Sequence, residues 1–500
     1  MKSLFNLRRT VTTVFAVAAL AAASGCGGGS TPDAKGPGVK SGPQDSHGNA
    51  VSAAAAGKFK TGQDALAKFD KSGWNEAACR EVAKMFIDAQ GEQDKFFAPA
   101  VYNAGVAFQR CGLRADAKKQ YDEVLSKDPT FHRARVQLAL FAFEEGGEKD
   151  IEKAIGEMKR AVADSKFQNV EALVNQSRLE MKRGNNNADA DGANDYERAK
   201  KNLQRALAVE DAYMPAFNQL AIYYLEVARL KAGQKKSTSA RGSQTSKVDT
   251  QALELAALVC SQAIQKNPGY AAVHNTAGLI SVELGNLNAA VESFGKARRA
   301  DPNFYEAHMN YASVNMRFRG FTQAEEAYKQ AIRVRPNDYD AHLGLALALR
   351  GEIDDTNFNA KLAEAQTFLD KAKTLDASRP EAYFNDGILT QEYRAKSGDA
   401  AAEPALKKAI ELFKQFASKA QGRAEFADAV EDVTAVPTKT DAQCTGKGSR
   451  TDKACKKGRI KEIEEIIAFN RQTAADRKKM EQEMKQMAAE AEAAGANAPQ

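Results

Sequence analysis

The sequence predicts an all-α protein in which helical hairpins stack into a solenoid, and three observations support this prediction. A motif recurs with a period of 34 residues, which is typical of stacked supersecondary units. The composition is rich in Ala, Lys, Glu and Leu, with one Trp and 13 Pro in 500 residues, and this suits helices throughout. The chain shows no convincing alternation of apolar and polar residues of the kind that marks a half-buried strand.

The repeat is clearest between Ala271 and Asp338, where the same motif occurs twice. Two small residues, an aromatic residue, a third small residue and a proline recur at fixed offsets. The matched pairs are Gly278 and Ala312, Ala290 and Ala324, Phe294 and Tyr328, Ala297 and Ala331, and Pro302 and Pro336. Small residues let two helices approach closely, the aromatic ring fills the gap, and proline ends the second helix.

This motif resembles the tetratricopeptide (TPR) repeat. The resemblance implies a right-handed superhelical TPR solenoid of about eight helical hairpins plus caps, which we place at residues 98–420. One hairpin cannot bury its own apolar face, so neighbouring hairpins must stack. Besides the clean pair, repeats are predicted to begin near Ala98, His132, Val170, Met214, Tyr339 and Pro380.

Three insertions, at residues 185–195, 231–250 and 396–403, fall between the two helices of single repeats. The insertion at 231–250 is rich in Lys, Ser and Gly and is expected to be mobile. All three should emerge on one edge of the solenoid, and insertions on one face of a repeat protein often serve binding.

Residues 1–25 are predicted to be a lipoprotein signal peptide. A short basic stretch, Met1–Arg9, precedes an apolar, Ala-rich stretch, Thr10–Ser24, which is too short for a stable membrane span. The following Ala23-Ser24-Gly25-Cys26 resembles the lipobox of bacterial lipoproteins, although Ala23 stands where that family usually has Leu. The resemblance implies cleavage before Cys26 and a lipid anchor on Cys26. The alternative is a plain signal peptide that is cut nearby.

The remaining segments flank the repeats. Residues 26–57 are Gly, Ser, Pro and Ala with scattered charges, and they predict a flexible tether. Residues 58–97 predict an N-terminal helical cap, and residues 421–458 a polar loop with two Cys. Residues 459–500 predict a charged helix and tail, in which the first half caps the last repeat. The second half, with Met480, Met484 and Met487 on one face, is either solvated or binds a partner.

The charge balance argues against a nucleic-acid partner. The formal net charge is +6, and loss of Lys2, Arg8 and Arg9 with the signal peptide leaves +3. Nucleic-acid-binding proteins usually concentrate a much larger basic excess on one surface.

A search for catalytic motifs predicts no enzyme site, no metal, no cofactor and no small-molecule substrate. Residues 187–192 resemble the first half of an EF-hand calcium loop, but its twelfth position, which needs a bidentate Glu, is Arg198. His274, His308 and His342 recur every 34 residues. Equivalent atoms in stacked helices lie about 8–10 Å apart, too far for one zinc ion with ligands at about 2 Å. We therefore interpret these histidines as packing residues.

The cysteines predict two disulfides in an oxidising compartment. Cys79 and Cys111 lie in adjacent hairpins, and Cys444 and Cys455 flank a short polar loop. Cys260 occupies the motif position of Phe294 and Tyr328 and is predicted to be a buried free thiol.

The TPR resemblance also implies a concave groove lined by the first helix of each hairpin, at motif positions 2, 5, 9, 12 and 13. A carboxamide there can clamp an extended backbone, and Arg or Lys can bind a carboxylate. The family's carboxylate-clamp pattern of paired Lys and Asn is not clearly repeated. The candidate groove residues are Tyr102, Gln109, Arg110, Arg178, Lys182, Asn218, Asn275, Met309, Arg317 and Phe384.

Longer phrases, such as YMPAFNQLAIYYLE at 213–226 and MNYASVNMRFRGF at 309–321, resemble the TPR lipoproteins of the bacterial adventurous gliding-motility envelope complex. The similarity covers residues 98–391. It implies an outer-membrane-anchored, periplasm-facing scaffold, held by its N-terminal lipid, whose partners are proteins of an envelope-spanning complex. The alternatives are a pilus or secretin assembly lipoprotein (pilotin-like) and an adaptor that activates a cell-wall synthase.

Overall fold

The structure is a computed structural model that describes residues 49–237, 250–395, 402–439, 444 and 453–496. The predicted signal peptide, the lipid-anchor residue Cys26 and the tether up to residue 48 lie outside the described residues. The central parts of the predicted insertions at 231–250 and 396–403 and most of the Cys444–Cys455 loop also lie outside them. The described chain is helical, and an isolated bridge between extended residues joins Asp189 and Gly192. The predicted all-α fold is confirmed.

The described residues divide into two compact units that meet in the sequence at Gly285 and Asn286. The first unit contains eleven helices within the described residues, and each one contacts the next along the chain. They are α1 (Ala53–Ser72), α2 (Glu76–Gly91), α3 (Ala98–Arg110), α4 (Arg114–Lys127), α5 (His132–Gly146), α6 (Ile151–Asp164), α7 (Val170–Arg183), α8 (Asp195–Val209), α9 (Met214–Ser237), α10 (Thr250–Lys266) and α11 (Ala271–Glu283).

The second unit continues the same pattern of antiparallel hairpins. Its helices are α12 (Leu287–Ala300), α13 (Tyr305–Arg317), α14 (Phe321–Val334), α15 (Tyr339–Gly351), α16 (Phe358–Leu375), α17 (Glu381–Leu389), α18 (Glu403–Ala420), α19 (Ala427–Thr434) and α20 (Arg459–Ala496). Successive helices are in contact from α12 to α20, and α20 also contacts α18.

The motif residues build the core in the way that their sizes predict. The aromatic residues of the second helices are fully buried, with Tyr121, Phe294, Tyr328 and Phe413 at 0–1 % exposure. Close approach explains the glycines: a Cβ on Gly105 would lie 2.5 Å from the Tyr121 ring. One on Gly387 would lie 2.6 Å from the Phe413 ring. A larger residue at either position would therefore force two helices apart.

Two segments differ from the sequence prediction. Helix α1 begins at Ala53, inside the predicted tether, because the Ser52 hydroxyl accepts a hydrogen bond from the Ala55 N–H and caps the helix. The predicted polar loop after residue 420 contains α19, whose Ala429 and Val433 join the core that α18 and α20 form. The 34-residue period is absent from this stretch, so the repeat motif does not predict this short helix. In the described part of the chain, no helix combines the length and the apolar character that a membrane crossing needs.

Candidate protein-binding groove

Within each unit, the first helices of successive hairpins form one layer. In the first unit α5 contacts α7, α7 contacts α9, and α9 contacts α11. In the second unit α13 contacts α15, and α15 contacts α17. The predicted groove lies along this layer, which carries polar and aromatic side chains from several repeats.

Three of the predicted groove residues are buried in the protein instead of facing solvent. Tyr102, Asn275 and Met309 are 5 %, 8 % and 8 % exposed. The Tyr102 ring packs 5.4 Å from the Phe131 ring and 5.5 Å from the Tyr121 ring. The prediction that these three residues line an open surface is therefore corrected, because neighbouring side chains and helices cover them.

Four other predicted groove residues make contacts within the chain. They bind side chains from the same or a neighbouring hairpin, which restricts their freedom to meet a partner. Gln109 Oε1 accepts a hydrogen bond from Tyr121 Oη at 2.7 Å, and Asn218 Oδ1 accepts one from Thr276 Oγ1 at 2.7 Å. Arg110 Nε donates to Asp70 Oδ1 at 2.9 Å. The Phe384 ring lies 5.1 Å from the Phe416 ring.

The three remaining predicted residues are cationic, and two of them are exposed. Lys182 and Arg317 are exposed, and Arg178 is half-buried. The Lys182 Nζ atom lies 5.9 Å from the centre of the Phe143 ring, on the preceding first helix. Lys182 and Arg317 thus expose cationic groups of the kind that binds carboxylates, whereas Arg178 Nη1 donates to Asn175 Oδ1 at 3.3 Å.

The structure adds an acidic and amide pair that the sequence reasoning did not select. Gln137 Nε2 donates a hydrogen bond to Glu171 Oε1, and the two residues are 1 % and 3 % exposed. Burial raises the pKa of Glu171, although the Arg133 charge and the Gln137 hydrogen bond oppose the rise. Glu171 Oε2 and Gln137 Oε1 have no hydrogen-bond partner among the described residues.

Cationic and tyrosyl groups also belong to this layer, and the Arg133 charge acts on Glu171. Arg133 is exposed, with its guanidinium carbon 6.0 Å from the centre of the Tyr102 ring. Burial lowers the pKa of Arg178, against the opposing effects of Tyr270 and Glu144. Burial raises the pKa of Tyr270 to about 12, so its hydroxyl stays a neutral donor. Arg133, Arg178 and Lys182 together suit a polypeptide segment that carries carboxylates.

Part of this cluster is readable from the sequence. Arg133 and Glu171 occupy motif position 2, which belongs to the groove positions given above. Tyr270 precedes the first residue of a repeat, as Phe131, Tyr213 and Phe304 do. This recurring aromatic position at the start of the first helix is the signal that could have identified Tyr270.

The recurring histidines have a structural role that the contacts define. His274, His308 and His342 each use Nε2 to bind the carbonyl oxygen of the motif proline six residues earlier, at 2.7, 2.9 and 2.9 Å. Each imidazole thus connects the start of a first helix to the turn that precedes it. This arrangement fits the interpretation as packing residues.

His308 is held in its neutral form, and we expect this to make the second unit sensitive to pH. Arg298 Nε donates to His308 Nδ1 at 2.9 Å, which requires Nδ1 without a proton. Burial lowers the pKa of His308, and the nearby Arg298 and Arg333 charges lower it further. A histidine whose pKa is lower in the folded than in the unfolded state stabilises the fold at pH values above its unfolded pKa, which is about 6.5. That contribution is lost as the pH falls through the folded value.

Hydrogen exchange of α13 and α14 between pH 7 and pH 5 measures this effect. After correction for intrinsic exchange rates, protection in the wild type should decrease as the pH falls, and the decrease should be smaller in His308→Gln. Equal pH dependence in the two proteins would contradict the role of His308.

The insertion at 185–195 is closed by an arginine where a calcium loop would hold its ion. Arg198 is 2 % exposed, and its Nη1 donates to the carbonyl oxygens of Asn187 and Gly192, both at 3.0 Å. Its Nη2 lies 2.7 Å from Asp195 Oδ1, and its Nη1 lies 3.1 Å from Asp189 Oδ1. A guanidinium inside the loop explains the acidic residues without a metal.

The structure places each candidate cysteine pair as a disulfide. Cys79 and Cys111 connect α2 to the end of α3, with Cα atoms 6.3 Å apart. Cys444 and Cys455 have Cα atoms 5.7 Å apart. Cys260 is a buried free thiol, and burial raises its pKa to about 12, which makes it a poor nucleophile.

Comparison with known proteins supports the repeat assignment. Two family models described as tetratricopeptide repeat match residues 271–304 and 316–355. No curated protein matches the sequence significantly.

Several solved structures resemble parts of the chain at low identity. A thermophilic TPR protein of Thermus thermophilus is 21 % identical over 44 % of this chain and 99 % of its own, with a TM-score of 0.34. A tetratricopeptide repeat protein of Parabacteroides merdae is 16 % identical over 60 % and 97 %, with a TM-score of 0.35. The pilF protein of Pseudomonas aeruginosa is 16 % identical over 52 % and 96 %, with a TM-score of 0.36. The two matches and the helical hairpins show that the chain contains tetratricopeptide repeats.

Proposed function

We propose that this protein is a non-catalytic scaffold that is anchored in the outer membrane through a lipid on Cys26, faces the periplasm, and assembles protein partners of an envelope-spanning gliding-motility complex. TPR repeats imply protein partners in general. The observation that carries the proposal is the layer of first helices in the first unit, where Arg133 and Lys182 are exposed and Arg178 and Tyr270 are half-buried.

The chemistry of that layer favours an acidic polypeptide segment. Guanidinium and ammonium groups bind carboxylates, and tyrosine hydroxyls donate hydrogen bonds to backbone carbonyls. Exposed Arg133 and Lys182 would supply attraction that weakens with salt. The lipobox-like residues before Cys26 and the phrases that resemble gliding-motility lipoproteins support the location and the process.

Affinity purification with crosslinking tests the scaffold role. The bait is the full chain, expressed as the wild type, as Cys26→Ser, and as the double variant Arg133→Glu with Lys182→Glu. We expect the double variant to recover about tenfold less envelope partner protein than the wild type, or less still. The control is Lys119→Glu on α4, which changes one exposed charge and should leave recovery unchanged.

The outcomes separate the candidate functions. Cys26→Ser should move the protein from the membrane fraction to the soluble periplasm, and retention in the membrane would contradict the lipid anchor. Deletion should abolish single-cell gliding. Loss of pilus-driven spreading alone would favour the pilotin-like role, and recovery of a cell-wall synthase as the main partner would favour the adaptor role. Unchanged recovery by the double variant would reject the groove as the binding surface.

A further inference from the structure

Helix α20 has two apolar faces, and only one of them is used by the fold. Ile463 and Ile467 are 0 % and 8 % exposed and belong to the core that α18 and α19 also line. On a different face, Phe469, Met480, Met484 and Met487 are 62 %, 64 %, 63 % and 61 % exposed. The second set has no structural role within the described part of the unit.

The exposed residues form a stripe along one side of the helix, interrupted between Phe469 and Met480, where that side carries Thr473 and Asp476. Met480, Met484 and Met487 are spaced by four and three residues, which places their side chains on the same side of the helix. Phe469 lies eleven residues before Met480, about three turns away and on the same side. At 1.5 Å per residue, the stripe from Phe469 to Met487 is about 27 Å long.

A stripe of this composition suits a helical partner. Isolated exposed apolar residues are normal on a protein surface, but adjacent ones such as Met480, Met484 and Met487 usually mark an interaction site. Methionine side chains are unbranched and polarizable, so they adapt to the apolar face of a bound helix. A long helix with an unoccupied apolar stripe pairs with another amphipathic helix by interdigitating side chains.

The charges beside the stripe select among possible partners. Asp476 and Glu483 lie along one edge and Glu481 lies along the other, and all three side chains are exposed. Arg477 is the single basic residue next to the stripe on the Glu481 edge. On the other edge, Lys479 Nζ lies 3.9 Å from Glu483 Oε1, a loose and exposed pair that a partner can replace. Carboxylates on both edges favour a partner with Lys or Arg beside its own apolar face.

The same carboxylates disfavour two other occupants. A second copy of α20 would bring its own Asp476, Glu481 and Glu483 towards those of the first, and like charges at the edges of a helix pair are destabilising. An anionic membrane surface attracts helices with basic polar faces, and an acidic margin opposes that attraction.

We propose that the face of α20 defined by Phe469, Met480, Met484 and Met487 is a docking site for a basic amphipathic helix of a partner protein. This site lies outside the groove of the first unit, and the proposal holds whether or not that groove binds acidic segments. The partner helix would pack its apolar residues on the methionines and place basic residues against Glu481, Glu483 and Asp476.

Two synthetic peptides test this proposal with the full chain. The first is a helical peptide of about 18 residues, long enough to match the stripe, with Leu on one face and Lys along both edges of that face. The second replaces every Lys by Glu and keeps the Leu face. Isothermal titration calorimetry should show saturable one-to-one binding of the basic peptide only, weakening as salt is raised.

Variants of α20 then assign the contact. Met480→Gln with Met484→Gln should weaken binding of the basic peptide about tenfold or more, since these residues supply much of the apolar surface of the stripe. The double variant Glu481→Lys with Glu483→Lys should bind the acidic peptide more tightly than the basic one. Gln482→Lys, on the opposite face of α20, is the matched control and should change neither affinity.

Each contrary result has a definite meaning. Equal binding of both peptides, or binding that survives the methionine substitutions, would overturn the proposal. Dimerisation of the wild type that the methionine substitutions abolish, measured by analytical ultracentrifugation, would show a second copy as the occupant. Flotation with anionic vesicles that depends on the same methionines would show a membrane surface instead.

Discussion

Replacing Asp195 with alanine is expected to destabilise the first unit by about 3–5 kcal/mol, because it leaves two arginines without their shared buried carboxylate. Asp195 is fully buried and accepts hydrogen bonds from Arg183 Nε at 2.8 Å, from Arg198 Nη2 at 2.7 Å and from the Asn185 N–H at 2.6 Å. Both guanidinium groups share this one buried carboxylate, and their other carboxylate partners, Glu152 for Arg183 and Asp189 for Arg198, are exposed. Its loss should open the insertion and expose the start of α8.

The matched control for this substitution is Asp191→Ala in the same loop. Asp191 is exposed, and its removal should change the free energy of unfolding by less than about 0.5 kcal/mol. Urea unfolding of the full chain gives the difference in stability, and hydrogen exchange over residues 171–209 shows whether the loss is local. Similar behaviour of the two variants would refute the role of the buried carboxylate.

The same site predicts the direction of an acid effect. Burial opposes ionisation, but hydrogen bonds from Arg183 and Arg198 hold the pKa of Asp195 below its ordinary value. The ionised Asp195 therefore stabilises the fold at pH values above its pKa in the unfolded state, about 3.9. This stabilisation is lost as the pH falls through the lower pKa of the folded state. Asp195→Ala should remove this part of the acid dependence.

The helical hairpins are predictable because their signal is repeated. Small residues at Gly278 and Ala312 and aromatic rings at Phe294 and Tyr328 recur at one spacing, and each position has one packing role. The period therefore predicts the fold even where individual repeats match the motif poorly. Where the period ends, as at α19, propensity and local apolar residues alone do not reveal the helix.

The contents of the insertion cannot be predicted in the same way. The sequence shows acidic residues around Gly192 and an arginine at position 198, which argues against calcium. It does not show that the Arg198 guanidinium lies inside the loop and binds the Asn187 and Gly192 carbonyls. That arrangement depends on the path of a loop with no repeat to compare it with.

The candidate groove is predictable as a layer but only partly as a set of residues. Motif positions identify which helix faces the groove, and Lys182 and Arg317 are exposed there. They do not reveal how closely neighbouring helices approach, and that distance buries Tyr102 and Met309. Partners within the chain, such as Asp70 for Arg110, come from a preceding hairpin outside the motif and so lie beyond a repeat-based prediction.

Replacing Tyr328 with alanine is expected to destabilise the second unit by about 3–5 kcal/mol, the cost of removing a large ring from a closed core. Tyr328 on α14 is fully buried, and a Cβ on Gly344 of α15 would come within 2.4 Å of its ring. The ring therefore fills the space that Gly344 leaves open. Neither helix can collapse into the vacancy without breaking contacts with its other neighbours.

Two further substitutions separate the volume of the ring from its chemistry. Tyr328→Phe keeps the ring and should lower the free energy of unfolding by less than about 1.5 kcal/mol. Gly344→Val keeps the tyrosine but overfills the same contact, and it should destabilise by about 1–3 kcal/mol or more. Urea unfolding, with hydrogen exchange over α14 and α15, measures all three variants. If Tyr328→Phe were as damaging as Tyr328→Ala, the hydroxyl would be the stabilising group, and ring-into-glycine packing would not explain how these repeats cohere.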